Sequence, residues 1–427
     1  MRVPDRSRPE SRPEYRGGHL ATRQVMSGGL SKARLTRMQD RMLAHVERGY
    51  VPGIATLVSR RGETHVHAVG SKTVDGRDPM RRDTIFRITS MTKPMTAVAA
   101  MILVEDCTLR LDEPVDRLLP ELANRRVLKS LESPLDDTVP ATRSITVRDL
   151  LTFRLGLGIV FGPPNLLPIQ RAISEMGITG FGPPMPTARH DPEEWMRLVG
   201  TLPLMHQPGE RWMYNTGSCL LGVLIARASG RPFETFLRER VFEPLGMKDT
   251  SFTVPASTLD RLVTSYMPNQ QTGALDVHDG IENSQWSRPP AFPDGGAGLV
   301  STIDDYLAFG QMLLNEGKCG SERILSRPSI ELMTADQLTA EQKVKSAFIP
   351  GQWDNRGWGF GVQVVTHRDE VSAVPGQYGW DGGFGTSWRT DPHEDMVAIL
   401  MTQRAEFPLF SPVYQDFWTS VYASIDD

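Results

Sequence analysis

The stretch "FRITSMTKPMTAVAAM", residues 86 to 101, sets Ser90 three positions before Lys93 at the predicted start of a helix. Side chains three apart on a helix share a face, with Cβ atoms about 5–6 Å apart, so a lysine amine can reach the serine hydroxyl. A serine in the first turn also lies at the positive end of the helix dipole, which favours an alkoxide and disfavours a protonated lysine. Both effects push toward an activated nucleophile. Pro94 suits a helix start, and the "MTAVAAMILV" after it is strongly helix-compatible. Taken alone, the motif has a second reading, in which Ser90 caps the helix and Lys93 is a solvated charge. The chain's eight lysines supply about half of one Ser-x-x-Lys match by chance. This is the only match in the sequence.

Outward from this stretch the chain divides by pattern. Before it, "LSKARLTRMQDRMLAHVERGY" puts Leu35, Met38, Met42 and Val46 on one helical stripe. "GIATLVSRRG" and "THVHAVG" then read as a β-hairpin around Arg61-Gly62-Glu63. Sheet patterns return only near the end of the chain. There "WGFGVQVVTH", "FGTSWRT" and "DMVAILMTQ" are strand-like, and "PVYQDFWTSVYASI" closes with Val413, Phe417 and Val421 at helical spacing. The middle holds helical patches and long loops rich in Pro and Gly, with "FGPP" at both Phe161 and Phe181. The expected fold is therefore α+β. Residues 30–110 and 291–427 form an α/β domain whose antiparallel sheet draws on both chain ends, and residues 111–290 form an inserted, mostly α-helical domain. Residues 1–29 read as a flexible extension. The cleft between the two parts is the natural place for a site.

Composition narrows the function. With 427 residues, 39% hydrophobic and 23% charged, the chain is a globular protein long enough for one large or two intimate domains. A net charge of -4 leaves no basic field for a nucleic-acid backbone. Cys107, Cys219 and Cys319 lie far apart without CxxC spacing, which implies neither a disulfide framework nor a structural zinc. No window reaches the roughly 18 apolar residues of a membrane span, and the Arg- and Pro-rich start lacks a signal-peptide core. A cytoplasmic location is expected, with neither nucleic acid nor membrane as a partner. His65 and His67 share a strand face but find no third convergent metal ligand in the sequence. There is no GxSxG elbow, Walker loop or dinucleotide fingerprint.

Five ordered segments carry a resemblance. They are "FRITSMTKP" with "LRLDEPVDRLLPEL", then "ITVRDLLTFRLGLG", then "LPLMHQPGERWMYNTGSCLLGVLIARASGRPFETFLRERVFEPLGMKDTSF", then "GGAGLVSTIDDYLAFGQMLLNEG", then "YGWDGGFGTSWRTDPHEDMVAILMTQ". From about Leu35 to the end, the chain resembles the serine β-lactamase and penicillin-binding-protein superfamily. Within it, the likeness is to the family VIII carboxylesterases and class C β-lactamases. The resemblance implies a β-lactamase/transpeptidase-like fold and a catalytic set of Ser90, Lys93 and Tyr214, with Tyr214 or Lys93 as the general base. It also implies an oxyanion hole from the backbone N–H groups of Ser90 and Gly383. Trp380-Asp381-Gly382 stands where the superfamily carries Lys-Thr-Gly, a form resembling the esterases' Trp-x-Gly, and marks a substrate-binding edge. Asn215 follows Tyr214 directly, whereas the superfamily often places Asn one position later, where this chain has Thr216. Asn215 is thus either a substrate contact or a helix cap.

The expected function is hydrolysis of small carboxylic esters with a short acyl group, through an acyl-Ser90 intermediate and without cofactor or metal. Trp380 would give an apolar wall, and Arg389 is the nearby candidate for supplying the positive charge that Lys-Thr-Gly provides elsewhere. The rivals are a β-lactamase, D,D-peptidase or related amide hydrolase, an acyltransferase of the same fold, and a non-catalytic penicillin-receptor-like protein. The substrate and the oligomeric state are not legible.

Overall fold

The computed structural model of the protein describes residues 27–347, 349–406 and 411–427. The expected extension therefore lies almost wholly outside the described residues. Only 27–29 are described, and these are bound: Arg60 donates from Nη1 to the carbonyls of Gly28 (2.8 Å) and Gly29 (3.3 Å).

Seven strands make one antiparallel sheet: β1 (Gly53–Arg60), β2 (Glu63–Gly70), β3 (Arg356–Trp358), β4 (Gln363–Val365), β5 (Tyr378–Gly382), β6 (Thr386–Asp391) and β7 (Met396–Thr402). Their order in space is β3-β4-β5-β6-β7-β1-β2, so the two ends of the chain meet where β7 pairs with β1. This is the α+β arrangement expected from the sequence, an antiparallel sheet drawn from both chain ends. The segment "WGFGVQVVTH", read as one strand, instead straddles a hairpin, because Gly361 turns the chain at φ +72° between β3 and β4.

Alternation along the central strands sorts side chains onto two faces. On one, Ile54 and Val58 of β1 and Met396, Ala398 and Leu400 of β7 pack under α1 (Lys32–Glu47) and the terminal helix α6 (Pro412–Ala423). On the other, Ala55, Leu57, Val397, Ile399 and Met401 join the main core with α2 (Thr92–Glu105). That core also takes in α3 (Pro168–Met176), α4 (Thr216–Ser229) and α5 (Ile303–Leu314). Both faces are covered, which is why β1 and β7 read as near-continuous apolar runs.

α2 is buried from Thr92 to Leu103. It lies between the sheet and α4, so its N-terminus opens where the sheet meets the helical region.

Candidate active site

Ser90 and Lys93 stand at the entry to α2. The chain arrives from the two-residue strand Phe86–Arg87, which pairs with Val300–Ser301, and Thr89–Met91 then form a 3₁₀ turn running into α2. Thr89, just before the serine, has φ +42°, a conformation that costs a β-branched residue of order 1–3 kcal/mol and is kept only where surrounding packing imposes it. Lys93 Nζ lies 3.0 Å from Ser90 Oγ and donates to the Gly296 carbonyl at 2.7 Å. The lysine is fully buried. Burial pulls its amine down to about 7, against the opposing influence of buried Cys219 and Asp294. An amine so placed is substantially neutral near neutral pH, with a lone pair available to the serine proton.

Tyr214 reaches the same point from the other side. It lies just before α4, with its ring face 4.5 Å from Lys93 Nζ. Burial pushes its phenol well above the ordinary tyrosine range, with hydrogen bonds to Ser90 and Trp380 acting in the opposite sense. The phenol therefore stays protonated and can pass a proton on only as a neighbouring group returns one. Asn215, next in the chain, sits at φ +85°, ψ -61° with Thr216 N–H donating to the Tyr214 carbonyl at 3.3 Å. This is a γ-turn of the rare positive-φ kind. The residues flanking Ser90 and Tyr214 are thus both held in strained backbone.

The structure places the remaining expected residues as follows. Trp380 on β5 faces Tyr214, and its indole N–H donates to the phenol oxygen at 2.8 Å. The indole thus makes a polar contact that orients the tyrosine hydroxyl. Gly382, at the end of β5, presses against the serine turn: a Cβ there would collide with the Ile88 carbonyl oxygen and with Thr386 Oγ1. Only glycine permits that approach. Gly383, next along, has open space where a Cβ would be.

Asp381 points to the opposite face by strand alternation. There Ser387 Oγ (2.7 Å) and Arg389 Nη1 (2.7 Å) and Nη2 (3.1 Å) hold its carboxylate. Arg389 also donates to Tyr414 of α6 at 2.6 Å, so neither partner of this pair joins Ser90. Asn215 is buried, with its amide donating to the Gly180 carbonyl at 3.1 Å.

Asp294 drew no attention in the sequence. It is buried and accepts from Gly296 N–H at 2.7 Å and from the Cys219 thiol at 3.0 Å. It thereby fixes the turn whose carbonyl anchors Lys93. The available signal was Pro-Asp-Gly-Gly at 293–296, a turn composition overlapping the start of a quoted segment.

A family model for Beta-lactamase matches residues 38–413. The chain belongs to the Beta-lactamase family. Protein Rv1367c of Mycobacterium tuberculosis is 39% identical over 363 residues, covering 83% of this chain and 86% of that protein. Esterase EstB of Burkholderia gladioli is 30% identical over 411 residues, covering 92% of this chain and 95% of EstB. The solved structure of EstCE1, described as a hydrolase with promiscuous acyltransferase activity, shares the fold with a TM-score of 0.74 at 24% identity, over 92% of this chain and 99% of that one. The protein is accordingly an enzyme, a β-lactamase-fold serine hydrolase with esterases and acyltransferases among its relatives.

Among the described residues no cluster of three or more His, Cys, Asp or Glu side chains could hold a metal ion, and no helix is long and apolar enough to cross a membrane.

Proposed function

We propose that the protein hydrolyses small carboxylic esters with a short acyl group through an acyl-Ser90 intermediate. The observation that carries this reading is a fully buried Lys93 whose amine, drawn down to about 7, lies 3.0 Å from Ser90 Oγ. Neutral Lys93 takes the Ser90 proton as Oγ attacks the ester carbonyl, and the N–H groups of Ser90 and Gly383 receive the oxyanion. When the intermediate collapses, the carbon–oxygen bond to the alcohol breaks and Tyr214 hands a proton to the leaving oxygen, recovering it from Lys93. Water then repeats the sequence on the acyl-enzyme, releasing the acid and restoring Ser90. Trp380 keeps the Tyr214 hydroxyl aimed by occupying one of its lone pairs.

Preference for esters over β-lactams follows from charge. A β-lactam carboxylate needs a cation at the β5 edge. Trp380 offers a neutral N–H, and Arg389 is already neutralised by Asp381 on the other face. Losing a charge-assisted contact costs about 1.5–3 kcal/mol, while a neutral ester loses nothing.

The test is a screen of short-chain aryl esters beside a chromogenic cephalosporin, with a serine-directed phosphonate and peptide mass spectrometry to locate the label. The expected result is a higher kcat/KM for the ester and labelling at Ser90. Efficient cephalosporin turnover with negligible ester hydrolysis, or a label elsewhere with Ser90→Ala still active, would overturn it.

A further inference from the structure

A cavity of about 620 Å³ lies in the helical region, walled by the loops that carry the two "FGPP" segments and by α3. Its lining is mainly apolar, including Val160, Ile173, Ile178, Phe181 and Met205. Phe161, Leu166 and Met185, on the same loops, are exposed by 47%, 65% and 45%. A volume in the range of ligand sites, opening through an apolar rim, is a feature a chain limited to small polar substrates would not maintain in water.

Both walls are tied to the segment around Tyr214. Ile159 N–H donates to the Tyr214 carbonyl at 2.9 Å, and the Phe161 ring stacks on the Tyr214 ring with centroids 6.5 Å apart. From the other wall, the Gly180 carbonyl accepts from Asn215 Nδ2 at 3.1 Å and Thr216 Oγ1 at 2.8 Å. The loops that wall the cavity are therefore anchored on the Tyr214 side of the site, whereas the oxyanion hole of the proposed mechanism lies at Gly383, on the sheet side. In an acyl transfer the group bonded to the protonated oxygen must lie on the proton donor's side.

The geometry points to a substrate that is the ester of a bulky, apolar alcohol, with the alcohol portion seated in this cavity and only a short acyl group against the sheet edge. This rests on the ester-hydrolase reading above. The same seat would hold an apolar alcohol as acceptor, in which case its oxygen in place of water bonds the acyl carbon and its proton passes to Ser90 through Tyr214 and Lys93.

The test compares n-alkyl butyrates from ethyl to hexyl, whose leaving alcohols have nearly equal basicity, with ethyl esters of acids lengthened by the same number of carbons. Burial should raise kcat/KM about fourfold per buried methylene of the alcohol, so burying even two of the four methylenes added from ethyl to hexyl gives at least a tenfold ratio. Two cavity-filling variants should bring that ratio towards one. Gly182 lines the cavity with no atom within 4 Å of where a Cβ would stand, so Gly182→Trp meets no clash at Cβ. Ser174→Trp fills the same space from an exposed position on α3.

A hexyl-to-ethyl ratio near one in the native protein, or one untouched by both variants, would overturn the inference. So would a gain that follows the acyl chain. If even p-nitrophenyl butyrate is not hydrolysed, the ester reading itself has failed. Calorimetry with 1-hexanol then tests the seat alone: binding weakened by both variants supports it, and equal or absent binding removes it.

Discussion

At the scale of single residues, the site is two buried groups displaced in ways that suit opposite tasks. Lys93 loses protons more readily than a free lysine and Tyr214 holds its proton more tightly, both because burial disfavours the charged form. Activity requiring neutral Lys93 should rise with pH through about 7, the value to which its amine is drawn, and fall tenfold per unit well below it. Asp294 opposes that displacement, since its negative charge favours the ammonium form. Asp294→Asn can still accept from Gly296 N–H but lacks the charge, so the acid limb of kcat/KM should move to lower pH. An unmoved limb would mean that Asp294 serves the turn alone. Lys93→Ala and Tyr214→Phe should each cost orders of magnitude in kcat, and the double variant should be scarcely worse than either, because groups passing one proton act as a unit. Additive losses in steady-state assays would show separate roles. Ser90 and Lys93 could be singled out by their spacing in the sequence, and Tyr214 through the family resemblance. Asp294 could not, because its meaning arises from a turn whose Gly296 carbonyl holds a lysine two hundred positions earlier.

At the scale of elements, the site depends on how closely β5 approaches the start of α2. The end of β5 rests on the Ile88 carbonyl and Thr89, which a side chain at Gly382 would displace. Gly382→Ala should therefore separate the Ser90 and Gly383 N–H groups proposed as oxyanion donors, lowering kcat by about 10- to 100-fold, with a stability loss of about 1–3 kcal/mol from overpacking. Chemical denaturation and steady-state kinetics measure the two effects separately, and an alanine variant with native kcat would show that the approach is not needed. The helix after Ser90 and the strands after Pro52 and Asp395 were legible because apolar periodicity is local. The β3–β4 hairpin was not, since two three-residue strands carry too few alternations to separate from one longer strand.

For the whole molecule, the terminal segments hold together a site to which they contribute no residue. Ser31 N–H donates to the Ser424 carbonyl at 2.8 Å, Leu30 bridges Ile425, and buried Arg60 pairs with Asp427 at 3.0 Å. α6 covers the outer sheet face with buried Phe417, Trp418, Val421 and Tyr422. Each such side chain contributes about 1.5–3 kcal/mol by burial, and four together rival the roughly 5–15 kcal/mol stability of a typical domain. Removal of residues 412–427 should abolish cooperative thermal unfolding and esterase activity together. A truncated chain that melts cooperatively and turns over substrate would show that β1 and β7 hold the sheet without their cover.

The sequence by itself determined the serine–lysine pair at a helix start, the glycine-rich strand end and a sheet drawn from both termini, while the tyrosine facing the pair was implied by the family resemblance. The first three are written in residue type and short spacing, and the tyrosine, over a hundred positions from the serine, is not. The tertiary structure decided which charges are available and which are spent. Asp381 and Arg389 look like substrate contacts beside Trp380 in a linear reading, yet strand alternation turns them to the far face, where they neutralise each other. It also decided that Trp380 is hydrogen-bonded to Tyr214, that Asp294 stands behind Lys93, and that two distant Pro-Gly loops close around one apolar cavity. These are through-space relations between segments up to hundreds of residues apart, and local pattern has no term for them until packing brings the segments together.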